Sequence, residues 1–307
     1  MPTVSIVGAG VIGTGWAIRF ATAGWQVRVY DLSEATQSRL LESLKSAQPF
    51  CQALFGKAPE EMAIEFCDGL DDVLDGSDWV QESLPEVLEL KKDMLAEVEG
   101  RVSRDTPICS STSGFKPSVL GESMSSAERL FVCHPFNPVY LLPLVEVVPH
   151  PVVDPKRTEQ VMEVLRSLSM RPLWVRKEID GHIADRLLEA VWREALWLVH
   201  DDIATTEEID DAIKYGFGLR WAQMGLFETY RLGGGDAGMR HFLKQFGPAL
   251  QWPWTKLMDV PELDEALIDK IADQSDAQAK GTSVREMEKT RDRNLVAILN
   301  ALKKEAQ

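Results

Sequence analysis

The sequence of 307 residues has few cysteines, fewer basic than acidic residues, and no long apolar run. Four cysteines in a chain of this length exclude a disulfide scaffold. Because Cys51, Cys67, Cys109 and Cys133 form no CxxC pair, we do not expect a zinc knuckle. Lys and Arg total 33 against 48 for Asp and Glu, so the formal net charge is −15. Because both halves of the chain are acidic, we do not expect a broad surface for nucleic acid or anionic membranes.

Two further absences bear on location. No stretch approaches the ~18 consecutive apolar residues of a membrane span, and the N-terminus leads directly into a strand-like run without a signal peptide. We therefore expect a cytoplasmic protein in which Cys109 and Cys133 are buried thiols. The rest of the composition, 45% apolar and 26% charged, is that of an ordinary folded protein. The length suggests two domains at ~150 residues each.

Short apolar runs rich in Val and Ile alternate with helical patterns through the first half of the chain. We predict strands at Thr3–Val7, Gln26–Tyr30, Trp79–Glu82, Pro107–Ser110, Leu130–His134, Leu144–Val148 and Pro172–Val175. Helical patterns such as Val11–Ala23 and Pro85–Val98 lie between them. This alternation predicts an α/β domain over residues 1–180, with a doubly wound, Rossmann-type, mostly parallel sheet.

The pattern changes near Gly181, after which the sequence carries no convincing strand. Helices are predicted at residues 184–200, 262–279 and 283–303, and a further helix begins with Thr205 or Thr206 as its N-cap. We therefore predict an all-helical second domain over residues 181–307.

The first predicted strand runs directly into a G-x-G-x-x-G motif that opens a helix. Gly8 permits the tight turn, Gly10 lets backbone approach a pyrophosphate, and Gly13 lets the helix pack closely on the sheet. Asp31 directly follows the second predicted strand, where a carboxylate accepts hydrogen bonds from an adenine ribose and repels a 2′-phosphate. The pattern therefore favours NAD over NADP; the alternatives are FAD, or a glycine turn with Asp31 as a helix cap. The predicted cofactor-binding residues are Gly8, Gly10, Val11, Ile12, Gly13 and Asp31.

A histidine at a strand end and a glutamate inside an apolar strand form the second candidate site. His134 begins HPFNP, and Glu146 follows twelve residues later within Leu144–Val148. A carboxylate in such a strand is costly unless paired, and His134 is the natural partner. Such a pair suits alcohol oxidation, because one imidazole nitrogen takes the hydroxyl proton while the glutamate orients the other. The alternative is a structural histidine with its hydrogen bonds satisfied.

Hydroxyl side chains follow the strand predicted at Pro107–Ser110. The carboxyl edge of an open α/β sheet faces the ligand crevice, so Ser113 is placed to hydrogen-bond a reacting oxygen. Its alternative role is the N-cap of the following helix.

These motifs together resemble the L-3-hydroxyacyl-CoA dehydrogenase family over nearly the whole chain. The resemblance rests on GAGVIG at 8–13, STSG at 111–114, HPFNP at 134–138 with Glu146, and GHIADRLL at 181–188. It implies NAD-dependent oxidation of a 3-hydroxyl group, with His134 as the base, Glu146 as its orienter, and Ser113 in contact with substrate. It also implies that Glu86 and Lys91 lie beside the cofactor, and that the helical domain forms a homodimer.

One departure from the family pattern points to a cationic substrate. Asp185 stands where the family has an asparagine, and His182 is the aromatic residue after the glycine. An ionised Asp185 disfavours an anionic group nearby and favours a cation. Alternatively, Asp185 caps the following helix or pairs with Arg186.

A second departure argues against coenzyme A. Residues 34–68 contain three basic and six acidic side chains, a net charge of −3, where CoA phosphates require a basic surface. Residues 218–225, 235–240 and 254–259 resemble the members of this family that act on L-carnitine, a free 3-hydroxy acid with a quaternary ammonium group. The expected partner is therefore this small molecule.

The aromatic residues Phe136 and Phe217 are candidate walls for that ammonium group, or else core residues. Asn137 is assigned to the same substrate site. The partner of the substrate carboxylate stays open among residues such as Ser113, Arg193 and Arg220. Alternative functions are oxidation of L-gulonate or of a short hydroxyacyl-CoA, or a non-catalytic, crystallin-like role in NAD binding.

Overall fold

The computed structural model describes residues 1–222, 225–233, 242–244, 255, 264–267, 269–270 and 284–305. The chain divides into two compact units, Met1–Asp185 and Arg186–Gln307. Among the described residues, no helix is both long and apolar enough to cross a bilayer.

The first unit is built on an eight-stranded sheet. Its strands are β1 (Thr3–Val7), β2 (Gln26–Tyr30), β3 (Ile64–Phe66), β4 (Trp79–Glu82), β5 (Ile108–Ser110), β6 (Leu130–Pro135), β7 (Leu144–Pro149) and β8 (Arg171–Trp174). The spatial order is β3-β2-β1-β4-β5-β6-β7-β8, and every neighbouring pair is parallel except β6 and β7. This confirms the predicted Rossmann-type, mostly parallel sheet. The strand order reverses between β1 and β4, where ligands of open α/β sheets bind.

Helices cover the sheet and close apolar clusters on both faces. They are α1 (Val11–Thr22), α2 (Glu34–Phe55), α3 (Leu70–Leu74), α4 (Leu88–Glu99), α5 (Pro117–Leu120) and α6 (Pro155–Ser167), with single 3₁₀ turns at Glu61–Ala63, Gly121–Ser123 and Ala127–Arg129. One cluster packs Trp16 and Phe20 of α1 against the sheet, and the other packs Leu95 and Val98 of α4. The central strands β4, β5 and β6 are buried along their whole length, as expected for strands that are covered on both faces.

The second unit is helical in the part that the structure describes. Helix α7 (Ala184–His200) begins at the end of the first unit, and α8 (Thr206–Ala212), a π-helical turn (Ile213–Phe217), α9 (Gly218–Trp221), α10 (Leu226–Gly233) and α11 (Val284–Glu305) follow. Thr205 caps α8 by accepting from the Glu208 N–H, while Glu208 accepts from the Thr205 N–H, a capping box. The predicted helix over 262–279 and the segment 235–240 lie largely outside the described residues.

Candidate active site

The glycine motif lies between β1 and α1, and its geometry requires glycine at two positions. Gly8 has φ +88°, and a Cβ there would approach the carbonyl oxygen of Ser83 to 2.8 Å. A Cβ on Gly13 would lie 1.9 Å from the carbonyl oxygen of Gly8. Within the described part of the chain, a Cβ at Gly10 would meet nothing within 4 Å, and no side chain caps the N-terminus of α1. Open space before an uncapped helix N-terminus fits a dinucleotide pyrophosphate.

A cleft of about 410 Å³ lies against this loop. Its lining residues come from the ends of β1, β2, β4 and β5 and the segments that follow them: Gly8, Gly10, Val11, Ile12, Asp31, Ser83, Leu84, Pro85, Glu86, Lys91, Ser111 and Ser113. The structure thus gathers into one cleft all the predicted cofactor-binding residues except Gly13, which packs beneath it, together with the predicted substrate residue Ser113.

Asp31 connects the glycine loop to the start of α2. Its Oδ2 accepts from the Ala9 N–H at 2.8 Å, and its Oδ1 accepts from the Ser33 N–H at 2.8 Å and the Thr36 hydroxyl at 3.1 Å. Carboxylate oxygens offer about four acceptor positions, so these bonds orient Asp31 and leave capacity for ribose hydroxyls. The local structural role and the predicted ribose role are therefore compatible.

A buried ion pair supports the far wall of the cleft. Glu82, at the end of β4, accepts from Lys91 Nζ at 2.9 Å, the Leu84 N–H at 2.6 Å and the Ser110 hydroxyl at 2.5 Å. Lys91 also donates to the Leu84 carbonyl at 3.0 Å and lies 3.4 Å from Glu86. The sequence reasoning missed Glu82, although an acid at the end of an apolar strand was a usable signal.

Glu86 ties this wall to the loop after β5. Its Oε1 accepts from the Thr112 hydroxyl, from the Ser113 N–H at 3.2 Å and from the Gly114 N–H at 3.3 Å. The exposed Ser113 therefore has its backbone held, while its side chain lines the cleft.

The two predicted catalytic residues lie directly opposite each other. Strands β6 and β7 are antiparallel, and their register pairs His134 with Glu146, so both side chains lie on the same face of the sheet. His134 Nδ1 lies 2.9 Å from Glu146 Oε2. Glu146 Oε1 accepts from the N–H groups of Ile183 and Ala184 at 2.9 and 3.0 Å. Both side chains are buried.

These bonds determine the protonation of the pair. Burial raises the pKa of the Glu146 carboxyl, but the hydrogen bonds from His134, Ala184 and Ile183 outweigh it, so the pKa lies below its ordinary value. An ionised Glu146 can only accept, so His134 carries its proton on Nδ1 and a lone pair on Nε2. That lone pair is the one able to take a proton from an alcohol. Nε2 lies 3.8 Å from Asp185 Oδ2.

Two rings pack on the His134 imidazole. The ring centroids of Phe136 and His182 lie 4.9 and 5.6 Å from that of His134. His182 is fully buried at φ +49°, and neither ring nitrogen makes a hydrogen bond of normal geometry, although the Thr112 backbone is near. Burial, and then the neighbouring His134, lower the pKa of His182. The sequence reasoning did not assign His182 to the site; its position directly after Gly181 was the available signal.

The contacts of the other predicted substrate residues are local ones. Asn137 is exposed after β6, in an Asn137–Pro138 bond that is cis. Phe217 belongs to the second unit and packs on Trp221 with ring centroids 4.6 Å apart. Arg193 lies 3.8 Å from Glu189 within α7. Their roles toward substrate stay predictions.

Comparison with known proteins places this geometry in a family. Residues 3–179 match the NAD binding domain of 3-hydroxyacyl-CoA dehydrogenase, and residues 181–273 match its C-terminal domain. The chain belongs to the 3-hydroxyacyl-CoA dehydrogenase family. The resemblance drawn from its motifs is thereby confirmed, and so is the prediction of NAD as the cofactor of the N-terminal domain.

Relatives within the family are similar over the length of this chain. The L-carnitine dehydrogenase/betainyl-CoA thioesterase of Ruegeria pomeroyi is 53% identical over 99% of this chain, which spans 62% of that relative. The L-carnitine dehydrogenase of Mesorhizobium japonicum is 50% identical, covering 97% of this chain and 83% of the relative. A crystal structure of 5-formyl-3-hydroxy-2-methylpyridine 4-carboxylic acid 5-dehydrogenase, an NAD⁺-dependent dismutase, has a TM-score of 0.81 at 26% identity, covering 99% of both chains.

Proposed function

We propose that this chain oxidises the 3-hydroxyl group of L-carnitine to the ketone of 3-dehydrocarnitine, with NAD as the hydride acceptor. The observation that carries the proposal is the His134–Glu146 pair with the carboxylate of Asp185 3.8 Å from its free nitrogen. A base and a negative charge in one site suit an alcohol on a cationic molecule. Relatives named for L-carnitine dehydrogenase support the same substrate.

In this mechanism His134 is the general base. Nε2 takes the hydroxyl proton as the C3 hydrogen leaves as hydride, and the imidazolium that forms donates from Nδ1 to the ionised Glu146. Glu146 stays ionised throughout because two backbone N–H groups hold its other oxygen. NAD, when bound, supplies the carbon that accepts the hydride. The residues proposed to hold it are Gly8, Gly10, Val11, Ile12, Gly13, Asp31, Glu86 and Lys91.

Asp185 is proposed to favour the trimethylammonium group. Its side chain is about one-quarter exposed and close to His134, where a carboxylate attracts a cation and repels an anion such as a CoA phosphate. Phe136, which packs on His134, offers an aromatic face for the same cation. Helix α2 adds to the case against CoA: its Lys45 is paired with Glu61, and its Arg39 donates to Thr36.

The remaining substrate contacts are assigned on the family pattern. Ser113 is proposed to hydrogen-bond the reacting oxygen, because its side chain lines the cleft while its backbone is held by Glu86. Asn137 and Phe217 are proposed as further substrate contacts.

A substrate panel tests the proposal. The purified protein with NAD is offered L-carnitine, D-carnitine, L-gulonate and 3-hydroxybutyryl-CoA in parallel, and NADH is followed by absorbance. We expect turnover with L-carnitine at a kcat/KM well above the others. Faster oxidation of L-gulonate or of the CoA ester would contradict the substrate assignment. Tight NADH binding with no turnover on any of the four would indicate a non-catalytic NAD-binding protein.

We also propose a homodimer formed through the helical unit. Large apolar side chains that are exposed in the single chain are frequent there: Leu187, Leu188, Trp192, Ile203, Tyr215, Leu219, Trp221, Phe227, Tyr230, Leu232, Leu243 and Ile298. Covering such residues is a common role of an obligate interface. Light scattering after size exclusion should give twice 34.3 kDa; a monomer at micromolar concentration would contradict it.

A cytoplasmic location completes the proposal. Cys51, Cys67, Cys109 and Cys133 form no disulfide within the described part of the chain, as is usual in a reducing compartment. Cell fractionation with activity assays would test the location.

A further inference from the structure

A set of buried hydrogen bonds lies directly beneath the cofactor cleft. We call Trp16, Trp79, Gln81 and Ser111, together with Ser83, the serine relay. Trp79 Nε1 lies 3.1 Å from Gln81 Oε1, and Gln81 Nε2 lies 2.8 Å from Ser111 Oγ. Trp16 Nε1 lies 3.2 Å from the same Ser111 oxygen, and Ser83 Oγ lies 2.8 Å from it. Only Ser83 and Ser111 reach the cleft.

The direction of each hydrogen bond in the serine relay follows from the chemistry of its members. An indole N–H can only donate, so the Gln81 atom facing Trp79 is its oxygen and the atom facing Ser111 is its NH₂ group. Ser111 Oγ therefore accepts from Gln81 and from Trp16, which uses both of its lone pairs. The single hydroxyl proton of Ser111 is left for Ser83.

This direction determines what Ser83 presents to the cleft. Because its oxygen accepts from Ser111, its own proton is available, and the Ser83 hydroxyl makes no other hydrogen bond within the described residues. Ser83 is half-buried and lies against the glycine motif, since its carbonyl oxygen is what a Cβ on Gly8 would meet. The hydroxyl therefore faces the dinucleotide site as a donor.

We propose that Ser83 donates a hydrogen bond to an acceptor oxygen of the bound dinucleotide, and that the serine relay holds it in the donor state. The phosphates and ribose oxygens of a dinucleotide are acceptors of the required kind. Trp16, Trp79 and Gln81 are thus positioning residues that act on the ligand only through the two serines. The inference rests on the NAD-binding part of the proposed function and is independent of the identity of the alcohol.

The first test removes the donor. The Kd of NADH for the wild type and for Ser83→Ala is measured by calorimetry and by the change in NADH fluorescence on binding. Loss of one net hydrogen bond raises Kd about three- to tenfold. The matched control is Ser77→Ala, which also breaks a buried serine–serine contact, with Ser5, in the same unit but away from the cleft. Kd should stay unchanged in this control, and an unchanged Kd in Ser83→Ala overturns the proposal.

The second test removes a donor that fixes the direction of the hydrogen bond from Ser111 to Ser83, and it leaves Ser83 in place. In Gln81→Met, Ser111 regains a lone pair and can accept from Ser83, whose proton then turns away from the cleft part of the time. We expect Kd to rise about two- to threefold. In the Ser83→Ala background the same substitution should have no further effect, because no donor is left to redirect. An effect of equal size in both backgrounds overturns the relay, since the change in Kd would then not depend on the Ser83 hydroxyl.

Two measurements keep the outcomes distinct. Thermal unfolding shows whether each variant folds. If Gln81→Met does not fold, Trp16→Phe takes its place, because it removes the other donor to Ser111 and should raise Kd by the same factor. A wild type that binds NADH but does not oxidise L-carnitine contradicts the proposed substrate and leaves the relay standing. A wild type that binds no NADH contradicts both.

Discussion

Two carboxylates of the first unit are buried completely near the same edge of one sheet, and they are held in the same way. Glu82 ends β4 and accepts from a backbone N–H, a hydroxyl and Lys91. Glu146 lies in β7 and accepts from two backbone N–H groups and His134. Each therefore has a cationic or titratable partner and two further donors, as a buried charge requires.

The difference lies in the partner. A lysine ammonium can only donate hydrogen bonds, whereas a neutral imidazole donates from one ring nitrogen and accepts at the other. The Glu82–Lys91 pair is thus a fixed part of the cleft wall, and the Glu146–His134 pair leaves a second ring nitrogen, Nε2, with a lone pair. The comparison teaches that the surroundings of the carboxylate build the structure, while the acceptor capacity of its partner decides whether the pair can act as a base.

The largest effect should come from breaking the orientation of His134. In Glu146→Gln, the amide oxygen must face the N–H groups of Ile183 and Ala184, which turns the NH₂ group toward His134 Nδ1. Nδ1 then accepts, the imidazole proton moves to Nε2, and the base has no lone pair for the substrate. We expect kcat for L-carnitine to fall about 10²- to 10⁴-fold.

His134→Ala is the companion to that change. It removes the proposed base outright, so turnover should fall by a similar factor while the Kd of NADH stays near the wild-type value, because His134 does not line the cofactor cleft. Loss of NADH binding in either variant would mean that the pair holds the cofactor and does not act as the base.

Breaking the other pair should cost stability. Lys91→Met leaves Glu82 buried without its cation, and loss of one partner of a buried pair costs about 3–5 kcal/mol of unfolding free energy. Urea denaturation measures the loss. The double variant Glu82→Gln/Lys91→Met should recover part of it, because no charge is left unpaired. A loss below about 1 kcal/mol would contradict the structural role assigned to this pair.

The features predicted from the sequence are those with a local or periodic signal. The glycine motif followed a strand and opened a helix, and β1, β2 and β4 have the predicted bounds. His134 and Glu146 were paired because an acid inside an apolar strand needs a partner and the two strands are adjacent in the chain. The short edge strand β3 was missed because two of its three residues are only partly buried, the third is exposed, and they form no apolar run.

The features that were missed depend on side chains far apart in the chain. Glu82 meets Ser110 across 28 residues, and Gln81 meets Ser111 across 30. No periodicity in one strand indicates which hydroxyl of a neighbouring strand it will face, because that depends on register and rotamer. The two histidines illustrate the same limit: both lie in motifs, HPFNP and GHIADRLL, but only the fold shows that the His182 ring packs on that of His134.

A third carboxylate, Asp185, differs from Glu82 and Glu146 because it is partly exposed, and its Oδ2 lies 3.8 Å from His134 Nε2. Asp185→Asn removes the charge and keeps the shape, and we expect kcat/KM for L-carnitine to fall about tenfold, a loss typical of one partly screened charge pair. The control substrate carries a tert-butyl group in place of trimethylammonium and should be affected less. Equal losses on both substrates would remove the cation argument.

The smallest effect concerns His182, a buried imidazole without the partner that His134 has. Its pKa is lowered in the folded state from an ordinary 6.5, mainly by burial, with His134 also lowering it and Glu146 and Asp185 opposing. As pH falls through 6.5 the unfolded chain binds a proton that the folded chain does not, so the stability present above this pH is lost below it. Glu146 acts with the same sign but below its ordinary 4.5.

His182→Phe should therefore flatten the fall of unfolding free energy between about pH 6.5 and 5, by at most about 1.4 kcal/mol per pH unit. Urea denaturation at four pH values across this range measures the slope. If His182→Phe keeps the wild-type slope, burial of the His182 imidazole has no consequence for the dependence of stability on pH.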